Sequence, residues 1–224
     1  MLIKLTLKEK KQETPSVQSF IFDVDNSLEW RAGQYLHYVL HHEPTDDRGS
    51  DRWFTISSAP HEGFVMLTTR FAKDNGSSFK KELEGLNVGD TVEFSDLDGD
   101  FVLENVKAKY VFIAGGIGIT PYRAILKDLE NKGNNVDIIL LYSNRDSNFV
   151  FKDELDNISN PHFKVKYIEG KVDEKHIKDN VSDIKDRIFY ISGPEGMVDS
   201  IGEELKGLGV SEDNIKQDWF PGYD

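Results

Sequence analysis

The sequence predicts two halves of different fold class: an antiparallel barrel or sandwich over residues 1–104, then an α/β doubly wound parallel sheet over residues 105–224. Three observations carry this. The first half holds short apolar segments at intervals of roughly 8–15 residues, separated by polar turns. The second half holds continuous apolar runs, the mark of strands buried on both faces, alternating with helical periodicities. The change of style falls at residues 104–108, with no internal repeat and no low-complexity linker.

Residues 2–7 alternate apolar and polar, as a half-buried strand does, and the chain then turns charged through Glu13. Further strands are expected at 17–24, 34–40, 53–57, 64–69 and 91–94. The turns among them are Arg31-Ala32-Gly33, Ala59-Pro60, Asp74-Asn75-Gly76 and Asp98-Gly99-Asp100. Ser77 to Leu86 breaks the pattern and reads as a short helix capped by Ser78, with Phe79 and Leu83 on one face. Residues 110–114 form an apolar run. A Gly-rich turn follows, and Ile125, Leu126 and Leu129 then set a helical period that Gly133 stops. Residues 136–142, 163–168 and 188–192 read as strands, and 151–158 and 197–208 as helices.

Composition removes whole classes of function. The chain has 224 residues, a formal net charge of −13 and no cysteine. A disulfide framework, a thiolate zinc site, a Cys-ligated iron–sulfur cluster and a cysteine nucleophile are therefore excluded. Nucleic acid and anionic lipid are polyanions, so neither is expected as a partner. His37, His41 and His42 fall in strand and loop and offer no metal-ligating set. No run approaches the ~18 apolar residues of a membrane span, and the start lacks the apolar core of a signal peptide. The expected compartment is the cytoplasm.

Three motifs carry chemistry. Gly115-Gly116-Ile117-Gly118-Ile119-Thr120-Pro121 lies between a buried strand and a helix. Glycines there allow a sharp turn and close approach of a ligand, and the helix start offers unpaired N–H groups to a phosphate. Thr120 is expected to cap that helix and Pro121 to sit in its first turn. Ser192-Gly193-Pro194-Glu195-Gly196-Met197 repeats the strand–turn–helix theme. Two such turns at one edge of a parallel sheet form a crevice of the kind that holds ligands. In the first half, Arg52-Trp53-Phe54-Thr55-Ile56-Ser57-Ser58 puts Arg52 and Phe54 on one face of a strand, and an Arg fork there suits a phosphate.

Taken together and in this order, the motifs resemble those of the ferredoxin–NADP(+) reductase superfamily over nearly the whole chain. The family's flavin motif R-x-[YF]-[ST]-x-x-S is matched by Arg52, Phe54, Thr55 and Ser58. Its nucleotide turn G-G-x-G-x-[TS]-P is matched by Gly115, Gly116, Gly118, Thr120 and Pro121, and its late turn [CSA]-G-P by Ser192, Gly193 and Pro194. Gly33-Gln34-Tyr35 also fits. The resemblance implies a six-stranded Greek-key β-barrel that binds FAD, with FMN the lesser alternative. An NAD(P) domain that takes NADPH or NADH as hydride donor follows it.

The resemblance also implies residue roles. Arg52 pairs the flavin pyrophosphate, Phe54 packs on the isoalloxazine, and the Thr55 hydroxyl lies near the flavin N5. Thr68, Thr69 and Arg70 line the ribityl and adenine side, and Gly76, Ser77 and Ser78 face the pyrophosphate. Gly116, Thr120, Gly193 and Met197 hold the nicotinamide nucleotide, with Ser192 at the nicotinamide pocket. Two positions depart from the family pattern. Phe54 replaces the common Tyr, and Ser192 the common Cys.

The tail 218–224 carries three aromatics, and Phe220 or Tyr223 is expected to cover the flavin face. Ser143 and Arg145, helped by Lys152, suit the 2′-phosphate of NADPH. With no cluster of its own, the chain is expected to hand electrons to a separate ferredoxin, flavodoxin, oxygenase component or small molecule. An acidic partner would dock on a basic rim near Lys80 and Lys81. The rival readings are a free-flavin or quinone reductase and a non-catalytic electron-transfer subunit.

Overall fold

The structure, a computed structural model, describes residues 3–24, 28–72 and 76–220. Tyr223 and the Asp74-Asn75 part of the expected turn lie outside them. The first unit has six strands: β1 (Ile3–Thr14), β2 (Val17–Asp23), β3 (Tyr35–Val39), β4 (Asp51–Thr55), β5 (Phe64–Arg70) and β6 (Thr91–Asp98). Leu5 and Leu7, Phe20 and Phe22, Leu36 and Tyr38, Val65 and Leu67, Val92 and Phe94 face a shared core, each pair two residues apart as strand geometry requires. The order is β4-β3-β6-β1-β2-β5, antiparallel at every pairing. The two edges meet where Ile56 bridges Leu67 of β5 and the Ser57 N–H donates to Met66 O at 2.7 Å. That bridge closes the sheet into the six-stranded Greek-key barrel. The helix α1 (Ser78–Gly85) adds Phe79 and Leu83 to the same core.

β1 runs to Thr14, beyond its expected end at residue 7. A bulge between Leu7 and Glu9 breaks the side-chain alternation, so the charged run conceals a strand that still pairs with β2. β6 likewise reaches Asp98, with an irregularity opposite Leu36–Tyr38. Ser77, and not Ser78, caps α1: its Oγ accepts the Lys80 N–H at 3.2 Å. At the far end of α1, Lys10 Nζ donates to Leu86 O at 3.0 Å, placing a cation at the negative pole of the helix.

The first unit ends at Val102 and a second begins at Leu103. Its strands are β7 (Lys109–Gly115), β8 (Asp137–Asn144), β9 (Phe163–Glu169), β10 (Ile188–Pro194) and β11 (Ile215–Phe220). They are parallel throughout, in the order β11-β10-β7-β8-β9. Between them run α2 (Thr120–Asn131), α3 (Lys152–Asp156), α4 (Glu174–Asn180) and α5 (Glu195–Gly207). On one face Phe112 of β7 stacks on Tyr122 of α2 at 4.7 Å. On the other, Val111 and Ile113 pack with Val198, Ile201 and Leu205 of α5. Covered on both faces, the sheet is doubly wound, and the strand order reverses between β7 and β10. No described helix is long and apolar enough to cross a membrane.

Thr120 does not cap α2; its hydroxyl donates to Ile117 O at 3.1 Å inside the 3-10 turn Gly116–Ile119 that leads into the helix. Pro121 does occupy the first turn, and Gly133, with φ 66°, ends the helix as expected. The expected helix over 151–158 shortens to α3, because Phe151 sits at φ 60° and starts it late. The sequence predicts neither α4 nor β11. Below the sheet, Arg187 braces three strands at their amino ends. Its guanidinium donates to both Asp137 carboxylate oxygens (2.8 and 3.2 Å), to Asp183 (2.6 Å) and to Tyr110 O (3.2 Å).

Candidate functional site

In the first unit the site is built on β4 and the start of α1. Tyr38 opposes Arg52 and Leu36 opposes Phe54 across the β3–β4 ladder, so Arg52 and Phe54 share the inward face. The Arg52 guanidinium lies 5.6 Å from the Phe79 ring centre and donates to Arg48 O at 2.6 Å and to Asp51 O. Phe54 rests on Phe79 at 5.9 Å and on Tyr38 at 5.8 Å. Thr55 is buried on the opposite side of the strand. The hydroxyl of Ser58 fastens the turn after β4: it donates to Phe64 O at 2.7 Å and accepts the Met66 N–H at 2.9 Å. Thr68 is hydrogen-bonded to Ser19 at 2.8 Å, Thr69 is buried, and Arg70 O accepts from Lys80 Nζ at 2.9 Å.

The start of α1 holds a feature that no motif announced. The Ser78 N–H donates to the Asp46 carboxylate at 2.8 Å, and the Asp46 N–H returns a bond to Ser78 Oγ at 3.0 Å. Arg48 holds the same carboxylate at 2.7 Å. The Ser78 N–H first, and Arg48 next, keep Asp46 well below the usual carboxylate range. Beside them lies a pocket of about 750 Å³ between the 42–48 loop and Gly76, Ser78 and Lys81. Its rim carries Glu43, Asp46 and Glu82 beside Arg48 and Lys81, so the expected basic rim near Lys80 and Lys81 is of mixed sign. The loop's polar residues resemble any solvated turn, and only its fold brings Asp46 and Arg48 to the helix.

In the second unit two motifs that are far apart in sequence touch. A Cβ on Gly118 would stand 2.2 Å from Ser192 O and 2.7 Å from Gly193 N, so only glycine lets the turn after β7 approach β10 this closely. Gly116 has φ 55°, a left-handed conformation that favours glycine. Gly115 and Gly193 border the same crease, with Pro194 and Met197 at its side. Ser192 is fully buried, and its hydroxyl donates to Asp218 of β11 at 3.1 Å. Nothing in the sequence marks Asp218, whose segment reads as a tail.

At the end of β8, Ser143 is buried and donates to Ala114 O at 3.3 Å. Arg145 is exposed and, among the described residues, has no ion pair. The loop that carries it is framed by Asn144, whose Nδ2 donates to Asp146 Oδ1 and Asn148 O, each at 3.0 Å. Lys152 turns to Asp156 and the Tyr167 ring and does not join Arg145, while Glu154 pairs with Arg123 at 2.9 Å. Phe220 is no free tail residue: it ends β11, opposite Pro194.

Comparison with known proteins matches residues 4–102 to the oxidoreductase FAD-binding domain and residues 112–203 to the oxidoreductase NAD-binding domain. The plasma membrane-associated coenzyme Q6 reductase PGA3 of Saccharomyces cerevisiae is 31% identical, over 82% of this chain and 63% of its own length. A flavohemoprotein of Bacillus subtilis is 24% identical, over 96% of this chain and 58% of its own length. The chain thus spans about six tenths of the length of these curated relatives. Among solved structures, a ferredoxin NADP+ reductase from Neisseria gonorrhoeae with bound FAD and NADP superposes with a TM-score of 0.83. It is 18% identical, covering 98% of this chain and 99% of that one.

Proposed function

The chain belongs to the ferredoxin–NADP(+) reductase superfamily, and on that premise we propose that it is a flavin-dependent NAD(P)H reductase serving a separate electron acceptor. The observation that carries this is the contact of the two glycine-bearing turns at the carboxyl ends of β7 and β10. There Gly118 meets Ser192, at the reversal of strand order where parallel sheets bind nucleotides. The donor set of the first unit fits FAD. Two guanidinium groups, Arg48 and Arg52, and the turn Gly76–Ser78, whose Ser78 N–H is held by Asp46, gather at one end of the barrel. The pocket beside them is of the size that takes half of a dinucleotide.

A bound flavin supplies the hydride acceptor and a bound nicotinamide the donor. The chain's part is to position them. Arg52 takes the pyrophosphate as a planar fork, Phe54 supports the ring, and Thr55 offers its hydroxyl near N5. Thr68, Thr69 and Arg70 border the ribityl and adenine side, and Gly76, Ser77 and Ser78 face the pyrophosphate. Gly116, Thr120 and Pro121 cradle the nucleotide, and Ser192, oriented by Asp218, faces the nicotinamide. Anaerobic addition of NADPH or NADH should bleach the bound-flavin spectrum. A spectrum unchanged by both nucleotides would sink the reductase reading and leave the non-catalytic alternative.

NADPH is the preferred donor in this proposal, because Arg145 is exposed on a loop stiffened by Asn144. Replacing Arg145 with Ala should raise the KM for NADPH about tenfold, the cost of a charge-assisted hydrogen bond, and leave that for NADH near its original value. Equal effects on the two coenzymes would refute the 2′-phosphate role. For the acceptor, the yeast relative's name makes a quinone the first small molecule to try, beside ferredoxin, flavodoxin and oxygenase components.

A further inference from the structure

We infer that Met197 is an oxidation-sensitive site, at which conversion of the thioether to the sulfoxide by hydrogen peroxide closes the nicotinamide-nucleotide crevice. The chain has no cysteine and three methionines, so its sulfur redox chemistry falls entirely on methionine. Met1 lies outside the described residues, and Met66 is 3% exposed. Met197, in the first turn of α5, is half-buried.

The surroundings make its sulfur consequential. A Cβ on Gly115 would stand 2.4 Å from Met197 Sδ and 2.8 Å from Cε, and one on Gly193 2.9 Å from Cε. Ser143 Oγ lies 3.9 Å from Sδ. The thioether therefore sits where the ends of β7, β8 and β10 converge, in space too small for one extra carbon on either glycine. An unbranched apolar chain adapts to that crease. A sulfoxide cannot, since it adds a polar oxygen directly on the sulfur.

The step balances. The sulfur lone pair attacks one peroxide oxygen, the O–O bond breaks, the S–O bond forms, and the second oxygen leaves as water after protonation. The new oxygen accepts the Ser143 hydroxyl, drawing it from Ala114 O, and the side chain must leave the crease or part the strand ends. Electrons lost from a reduced flavin to dioxygen yield peroxide. Local supply of the oxidant therefore rests on the function proposed above, whereas the chemistry at Met197 does not.

The test treats the purified chain with hydrogen peroxide and follows three readouts: peptide mass, nucleotide affinity by titration, and melting temperature. The Met197 peptide should gain one oxygen before the Met66 peptide does. The dissociation constant for the nucleotide should rise about tenfold, as overpacking of a tight contact implies, with flavin content unchanged. Methionine sulfoxide reductase should reverse the change. Met197→Leu, compared with its own untreated state, should show no shift in affinity or melting temperature. The inference fails if Met197 is oxidised with affinity and melting temperature unmoved, if Met66 reacts first, or if Met197→Leu responds like the parent. An untreated chain that binds no nicotinamide nucleotide overturns the functional reading instead. The loss of melting temperature on oxidation, present in the parent and absent in Met197→Leu, then still decides the Met197 claim.

Discussion

Gly118→Ala is expected to abolish nicotinamide-nucleotide binding and to lower the melting temperature of the second unit by roughly 10 °C. The new Cβ would meet Ser192 O at 2.2 Å, Ser192 C at 2.5 Å and Gly193 N at 2.7 Å. All three are backbone atoms of β10, so no side chain can rotate out of the way. β10 is held by β7 on one side and β11 on the other, and moving it disturbs both ladders. The displacement falls on the crevice in which the nucleotide is proposed to lie. Gly196→Ala is the matched control, because a Cβ there has nothing within 4 Å and sits on a helix that gains from alanine. Titration with NADPH and thermal melts of both variants decide the matter. A Gly118→Ala protein that binds nucleotide as the parent does would show that the contact between the two turns does not shape the site.

The parts of this fold legible in the sequence are those whose side chains report burial. β7, β8 and β10 are apolar almost end to end, and α2 carries a clear apolar face, so their existence and order were readable. α4 escaped because Ile177 is its one buried residue, which leaves no period to detect; its cap, Asp173 accepting the His176 N–H at 3.0 Å, was the only local signal. β11 escaped because an edge strand with solvated side chains shows no alternation. The same logic applies to the site. The glycines were legible because the turn needs them at fixed spacing. Asp46, Arg48 and Asp218 reach the site only through tertiary contacts, and nothing in their neighbours' identity announces that. Ser77 and Ser78 look alike in sequence, and only their partners, Lys80 N–H for one and Asp46 for the other, separate the roles of the two hydroxyls.

Replacing Arg187 with Leu should cost about 3 kcal/mol, the lower part of the range for breaking a buried ion pair, because its carboxylate partners keep some contact with water. The Arg187 side chain is 7% exposed, and its fork ties Asp137 at the start of β8 and Asp183 before β10 to the Tyr110 carbonyl of β7. Leucine fills much of the volume yet removes a donor from that carbonyl and from both carboxylates, of which Asp183 keeps Lys109 at 2.8 Å. Arg187→Lys keeps the charge and loses the bidentate geometry, so it should fall between the two. The pH dependence has a definite sign. Arg187 first, and Lys109 next, hold the Asp183 carboxyl at about 2, below its ordinary 3.8. A depressed carboxyl contributes stability above its unfolded value and loses it as pH falls toward the folded one. The difference in unfolding free energy between the parent and Arg187→Leu should therefore be fullest at neutral pH and shrink from pH 3.8 down to about 2. Denaturant titrations across that window measure it. A difference that stays constant through the window would assign the stabilisation to the packing of the Arg187 stem and the Tyr110 hydrogen bond, and not to Asp183.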